Sequence, residues 1–348
     1  MLKDFYKGKK ILITGHTGFK GSWLALVLNH FKADVYGIAL KPYDKRGNLY
    51  NILNLKKIIN SNYIDLRDLK KTKNILEKIK PQIIFHLAAQ PLVLESYRNP
   101  LDTIESNING LCNILDLSRN NGKLKSFLNV TTDKCYENNE YGKPFKETDR
   151  LGGNDIYSAS KACSELLTNA YYKSFYENLK VGFSTARAGN IIGGGDFGAD
   201  RIIPDFIESI QKNKILQVRS PLSVRPWQHI LDVINGYLIL MKKTFENPKT
   251  YTSFNFSPNY KKFQNVKYIV DNMSKILKFS KVKYVRMNKN FKESKILKLN
   301  SFKAKKELNW STKYNIDQTL ESTANWYEAY IKNENMYDYS INEVESFF

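Results

Sequence analysis

The stretch Val130-Thr131-Thr132-Asp133-Lys134-Cys135-Tyr136 sets a hydroxyl, a carboxylate and an amine side by side after an apolar run. Some twenty residues on, Tyr157-Ser158-Ala159-Ser160-Lys161 places a phenol and an amine at i and i+4, on one face of a helix. An ammonium beside a phenol favours the phenolate, so Tyr157 reads as a base near neutral pH, and the combined set can move protons and a hydride. The Tyr-x-x-x-Lys spacing alone decides nothing, because it also occurs at Tyr6/Lys10 and Tyr176/Lys180. Only the middle copy opens a long amphipathic segment shortly after a strand. Thr131 to Lys134 taken alone could be a polar turn that caps and solvates; the Tyr157/Lys161 pair downstream tips Thr132, Asp133 and Lys134 towards catalysis.

Such groups must be held at the mouth of a scaffold, and the chain supplies one. Lys10 to Thr14 is an apolar strand that runs into Gly15-His16-Thr17-Gly18-Phe19-Lys20-Gly21, after which Trp23, Leu24, Leu26, Val27, Leu28 and Phe31 recur at helical spacing. Glycines in a first strand-to-helix turn let backbone N–H groups and the helix N-terminus face a pyrophosphate, which predicts a dinucleotide site. Further strands are predicted at 35–40, 58–64, 82–87, 126–131 and 181–186, with long helices at 102–121 and 156–177. Alternation of this kind implies a doubly wound parallel α/β sheet of Rossmann type, with ligands at the carboxyl ends of its strands. Beyond Gly193-Gly194-Gly195 the elements shorten, with helices predicted at 202–212, 229–245, 266–277 and 316–331. The expected division is therefore 1–187 as dinucleotide-binding domain with the catalytic residues, and 188–348 as mainly a substrate lobe over the open edge of the sheet.

Bulk properties exclude more than they identify. The 54 Lys and Arg against 34 Asp and Glu give a net charge of +20 over 348 residues, but the lysines are spread thinly and read as a solvated surface rather than a nucleic-acid stripe. Three scattered cysteines suggest neither disulfides nor zinc, no metal is expected, and no apolar run is long enough for a membrane span, so a cytoplasmic setting is expected. One piece of an NAD site is missing, since Leu40-Lys41-Pro42 stands where a carboxylate usually binds the ribose hydroxyls. Lys41 and Arg46 could instead favour the extra phosphate of NADP, or merely be solvated. Asp65, before Leu66, could accept from an adenine amino group or cap the next helix. His86 reads as a packed core histidine.

Ile13 to Leu24, Thr131 to Tyr136, Arg187-Ala188-Gly189-Asn190-Ile191-Ile192-Gly193-Gly194-Gly195-Asp196 and Arg225-Pro226-Trp227-Gln228-His229 together resemble the extended short-chain dehydrogenase/reductase family. The resemblance implies NAD as cofactor, with Gly15, Gly18 and Gly21 on its pyrophosphate, Asp65 at the adenine, and Ala88, Ala89, Tyr157 and Lys161 at the nicotinamide half. Thr17, Phe19, Leu66 and Gln90 would be further cofactor contacts. It also implies a nucleotide-sugar substrate reached by Asn190, Arg201 and Arg225, two guanidinium forks suiting a diphosphate; a solvated helix-start charge is the plainer reading of Arg201. The implied activity is dehydration of a nucleoside-diphosphate hexose, CDP-glucose foremost, to the 4-keto-6-deoxy sugar. Epimerisation of a nucleotide sugar is the alternative, and RNA or nucleotide binding without catalysis a more distant one. The wider dehydratase pattern has Asp then Glu where Asp133 and Lys134 stand, which by position makes Asp133 the acid and Lys134 the base. The helices at 102–121 and 156–177 resemble the pair through which this family forms dimers, so a homodimer or dimer of dimers is expected.

Overall fold

The computed structural model describes residues 1–43, 45–138, 142–258, 263–285 and 294–348. Seven strands form one parallel sheet: β1 (Lys10–Thr14), β2 (Asp34–Ala39), β3 (Asn60–Tyr63), β4 (Ile83–His86), β5 (Ser126–Val130), β6 (Gly182–Ala188) and β7 (Tyr251–Phe256). Their spatial order is β7-β6-β5-β4-β1-β2-β3. The order reverses between β1 and β4, where Thr14 pairs with His86, and crevices for ligands open at such a reversal.

Successive residues of a strand face opposite sides. Ile11, Ile13, Phe85 and Leu128 therefore pack into one core with the helices Phe19–His30 and Ile230–Glu246, whereas Leu12, Ile84 and Phe127 pack into another with Leu69–Ile79 and Gly110–Ser118. Both faces are covered, so the central strands read as near-continuous apolar runs. Removing one such side chain, as in Leu12→Ala, costs about 2–5 kcal/mol.

Two expectations are corrected. The division at 187 does not follow the sheet: β7 pairs along β6 from Tyr251–Phe183 to Phe256–Ala188, and the helix Ile230–Glu246 packs beneath β5 and β6. The second half of the chain thus completes the first half's sheet. The single helix expected at 102–121 is instead Pro100–Ile104, a wider π-helical turn Glu105–Asn109, and Gly110–Ser118. The extra residue turns Asn107 inward, where its amide accepts from Gln90 N at 2.7 Å and donates to Gln90 O at 3.1 Å and Ser160 Oγ at 2.9 Å. The strand β7, the N-terminal helix Leu2–Tyr6 and the C-terminal helix Met336–Phe347 have no counterpart in the sequence expectations.

Candidate active site

A cleft of about 1270 Å³ opens at the carboxyl ends of β1, β2, β4 and β5 and extends between the sheet and the segments around residues 190–225. Gly15, Thr17, Gly18, Phe19, Gly21, Asp65, Leu66, Ala88, Ala89, Gln90, Thr132, Asp133, Lys134, Tyr157, Asn190, Arg201 and Arg225 all line it. Lys161 does not line it; it lies buried one turn beyond Tyr157.

The glycine turn is shaped by close approach. Gly15 has φ +76° and a Cβ there would stand 2.7 Å from Ala88 N, while a Cβ on Gly21 would meet Gly15 O at 2.2 Å. Gly18 precedes the helix Phe19–His30 and offers no side-chain cap, and residues 18–21 of this turn line the cleft. This cradle, with room extending to Asp65 on one side and Ala88 on the other, fits the pyrophosphate and two halves of a dinucleotide. Asp65 is not the helix cap, which is Asp68 accepting from Lys71 N at 3.0 Å. The Asp65 carboxylate instead binds Arg67, with Nη2 at 2.7 Å and Nε at 3.0 Å, and that guanidinium holds it below its ordinary range.

The hydroxyl, carboxyl and amine side chains of the cleft are fixed by local caps. Asp155 accepts from Ser158 N at 2.9 Å and so starts the helix Ile156–Tyr171 that carries Tyr157 and Lys161. Thr132 starts the short turn Asp133–Cys135 and donates to Asp133 Oδ1 at 3.0 Å. Asp133 is only 3 % exposed and its other oxygen, Oδ2, is buried with no hydrogen-bond partner among the described residues. Burial pushes this carboxyl up, against the opposing pull of Lys134, the Thr132 hydrogen bond and Arg225. Such a group holds its proton to higher pH than an ordinary carboxyl and can act as an acid.

The raised value has a consequence for stability. The folded state binds the Asp133 proton more tightly than the unfolded chain, so this group's contribution falls as pH rises from the ordinary carboxylate range through the raised folded value. Asp133→Asn keeps the Oδ1 acceptor and never ionises. The variant is expected to melt on the order of 2 °C higher than the parent near pH 8 and to lose that advantage near pH 4, measured by calorimetry.

Tyr157 departs from expectation. Burial pushes its phenol up to about 12, and the Thr132 hydrogen bond and the Arg201 charge only partly offset this. Lys161 is itself lowered to about 8 by burial, so it is a weaker source of positive charge than an exposed lysine. Near neutral pH Tyr157 is therefore a protonated phenol, and further positive charge beside it would make it a better base. The other two Tyr-x-x-x-Lys copies are structural: Tyr6 donates to Leu238 O at 2.7 Å and Tyr176 to Leu115 O, both deep in the core. His86 is buried, bonded to Thr14 Oγ1 at 2.9 Å, and lowered by burial to about 3, as befits a packed neutral ring.

Sequence reading passed over Lys20. It lines the cleft within the glycine turn, and burial, with Lys161 and Arg201 nearby, lowers it to about 7. The signal was its place between Gly18 and Gly21, hidden because motif patterns treat that position as free. The arginines are less open than expected. Arg201 forms an ion pair with Asp196, its Nη1 3.1 and 3.0 Å from the two carboxylate oxygens, and Arg225 is buried with Nη1 donating to Val224 O at 2.9 Å.

The sequence profile of the family described as GDP-mannose 4,6 dehydratase matches residues 12–323. The chain belongs to that family. A CDP-glucose 4,6-dehydratase of Salmonella typhimurium is 37% identical over 99% of this chain and 98% of its own. A dTDP-glucose 4,6-dehydratase of Haemophilus influenzae is 28% identical over 91% of this chain and 97% of its own. The fold is shared with a dTDP-glucose 4,6-dehydratase of Bacillus anthracis solved in complex with NAD (TM-score 0.78, 22% identity, 93% of this chain and 98% of that one). It is shared equally with a UDP-glucose 4-epimerase of Thermotoga maritima solved with UDP-glucose (TM-score 0.80, 21% identity, 92% and 99%). Family membership thus agrees with the extended short-chain dehydrogenase/reductase resemblance, and the architecture is common to dehydratases and epimerases.

Proposed function

We propose that this chain is an NAD-dependent nucleotide-sugar 4,6-dehydratase that converts CDP-glucose to CDP-4-keto-6-deoxyglucose. The observation that carries the reading is the buried carboxyl of Asp133 beside Lys134 in the same cleft as Tyr157. An epimerase needs the tyrosine but no additional acid and base. The 37% relation to a CDP-glucose 4,6-dehydratase along both chains supports the choice of base and sugar.

When bound, NAD supplies a positively charged nicotinamide that takes the hydride from C4 and gives it back at C6. Thr132 and Tyr157 hold the 4-hydroxyl, and Tyr157 receives its proton. The C4 ketone acidifies the C5 hydrogen, which Lys134 removes while Asp133 protonates the departing 6-hydroxyl as water; once the hydride reaches C6, Lys134 returns the proton to C5. Lys161 orients Tyr157, and Arg201 and Arg225, with Asn190, bind the nucleotide diphosphate.

Incubation with CDP-, dTDP-, UDP- and GDP-glucose plus NAD, followed by mass analysis, tests the reading. Loss of one water from the CDP-sugar without stoichiometric NADH is expected; a product of unchanged mass would make the chain an epimerase. Lys134→Met is expected to oxidise C4 but to exchange the C5 hydrogen and release water about 10²-fold more slowly, so that NADH builds up on the enzyme. Absorbance of NADH and deuterium uptake from heavy water check this together.

Among the described residues no helix is long and apolar enough to cross a membrane. Leu101 and Leu166, 73% and 58% exposed near and on the helices expected to pair, support association of two copies, which sedimentation would measure.

A further inference from the structure

Leu40-Lys41-Pro42 at the end of β2 offers no carboxylate of the kind that normally grips an adenosine ribose, yet the described residues around it are tied down. It is fastened to the glycine turn by Thr17 Oγ1 donating to Leu40 O at 3.1 Å and by Asn48 Nδ2 donating to Thr17 O at 3.0 Å. Its far side reaches across the cleft. Arg46 Nη1 lies 2.8 Å from Asp205 Oδ1 and Nη2 lies 2.7 Å from Glu208 Oε2, both carboxylates standing on the helix Ile202–Gln211. Gly47, at φ +113°, sits against the Phe197 ring, where a Cβ would be 3.1 Å away. Leu40, Arg46, Asn48, Asp205 and Glu208 all line the cleft, so the bridge belongs to its wall.

A guanidinium shared between two carboxylates one helical turn apart is the planar, two-pronged match that arginine makes and lysine does not. We propose that Arg46 is a positioning residue that straps the loop after β2 over the adenosine half of the bound dinucleotide, supplying by ion pairing the retention that a ribose-binding carboxylate would otherwise give. The inference rests on the dinucleotide reading of the cleft. It removes Arg46 from candidacy as a partner for the extra phosphate of NADP, because both faces of its fork are taken. It also links the two ligands: the helix that receives the strap begins directly after Arg201, the arginine assigned to the nucleotide diphosphate. Closing the strap and ordering that helix favour each other, and such coupling is reciprocal.

The test is the dissociation rate of NADH from the full-length protein, followed by fluorescence after mixing with excess NAD. Arg46→Met and the double variant Asp205→Asn/Glu208→Gln are each expected to release NADH about three- to tenfold faster than the parent, the range set by two partly exposed ion pairs. The parent's release rate should rise between about 0.05 and 0.5 M salt, and both variants should lose most of that dependence. Arg46→Lys should recover part of the slow release. Variants that shift the melting temperature but release NADH at the parent's rate would overturn the strap, leaving Arg46 as packing alone. A parent protein that binds no NADH would overturn the dinucleotide reading and the strap with it.

Discussion

Tyr157→Phe is expected to slow the first hydride transfer by about 10²-fold or more, equivalent to about 2.7 kcal/mol or more of barrier. The substitution removes one hydroxyl from a side chain that is 7 % exposed and leaves the ring in its place, so neither the fold nor the cleft should change. Burial already holds the phenol up to about 12, so it keeps its proton near neutral pH and positive charge nearby would favour the proton-accepting form. The rate of the parent should therefore climb with pH across the neutral and alkaline range, and the Phe variant's residual rate should not. Single-turnover absorbance of NADH with CDP-glucose, recorded from about pH 6 to 9, reads both. A variant with near-parental turnover would remove Tyr157 from the chemistry.

Arg187→Met should have the largest effect on stability, about 3–5 kcal/mol, because it strands a charge in the core. Arg187 and Glu165 are 4 % and 1 % exposed and paired at 2.9 Å. Around them lies a network that reaches the active site. Glu165 accepts from Thr131 Oγ1 and from Thr185 Oγ1 at 2.6 Å. Arg187 donates to Tyr136 OH at 2.8 Å, and Tyr136 donates to Asn255 Oδ1 at 2.7 Å. Thr131 immediately precedes Thr132 and Asp133, so this network fixes the end of β5 that leads to Asp133. Denaturant unfolding should show the loss. The double variant Arg187→Met/Glu165→Leu, which leaves no unpaired charge, should recover a large part of it.

The sheet was legible because its central strands are apolar on both faces, and runs such as Lys10–Thr14 admit few other structures. The meeting of Thr132, Asp133, Lys134 and Tyr157 in one cleft was legible because Tyr157 and Lys161 follow a strand end at helical spacing. What failed has common causes. The strand Tyr251–Phe256 alternates Thr252, Ser253 and Asn255 with aromatic residues, and its burial depends on partners contributed seventy residues earlier. The break in the helix at 102–121 depends on Asn107 meeting Gln90 and Ser160, contacts that no local pattern announces. Proton affinity was misjudged at Tyr157 because proximity of an amine is visible in a sequence and desolvation is not. Arg46 was weighed as a phosphate partner because its carboxylates stand some 160 positions away.

The late arrival of the seventh strand bears on how the protein is made. A ribosome that has emitted residues 1–188 has exposed six strands and a raw edge at β6, with the helix Ile230–Glu246 that covers the sheet still unsynthesised. At about 5–20 residues per second the edge waits several seconds for Tyr251–Phe256, a period in which an unpaired strand invites pairing with another nascent chain. A gene cut at the apparent boundary near 187 should consequently yield an insoluble amino-terminal product, whereas fragments that extend past Phe256 carry everything needed to close the sheet.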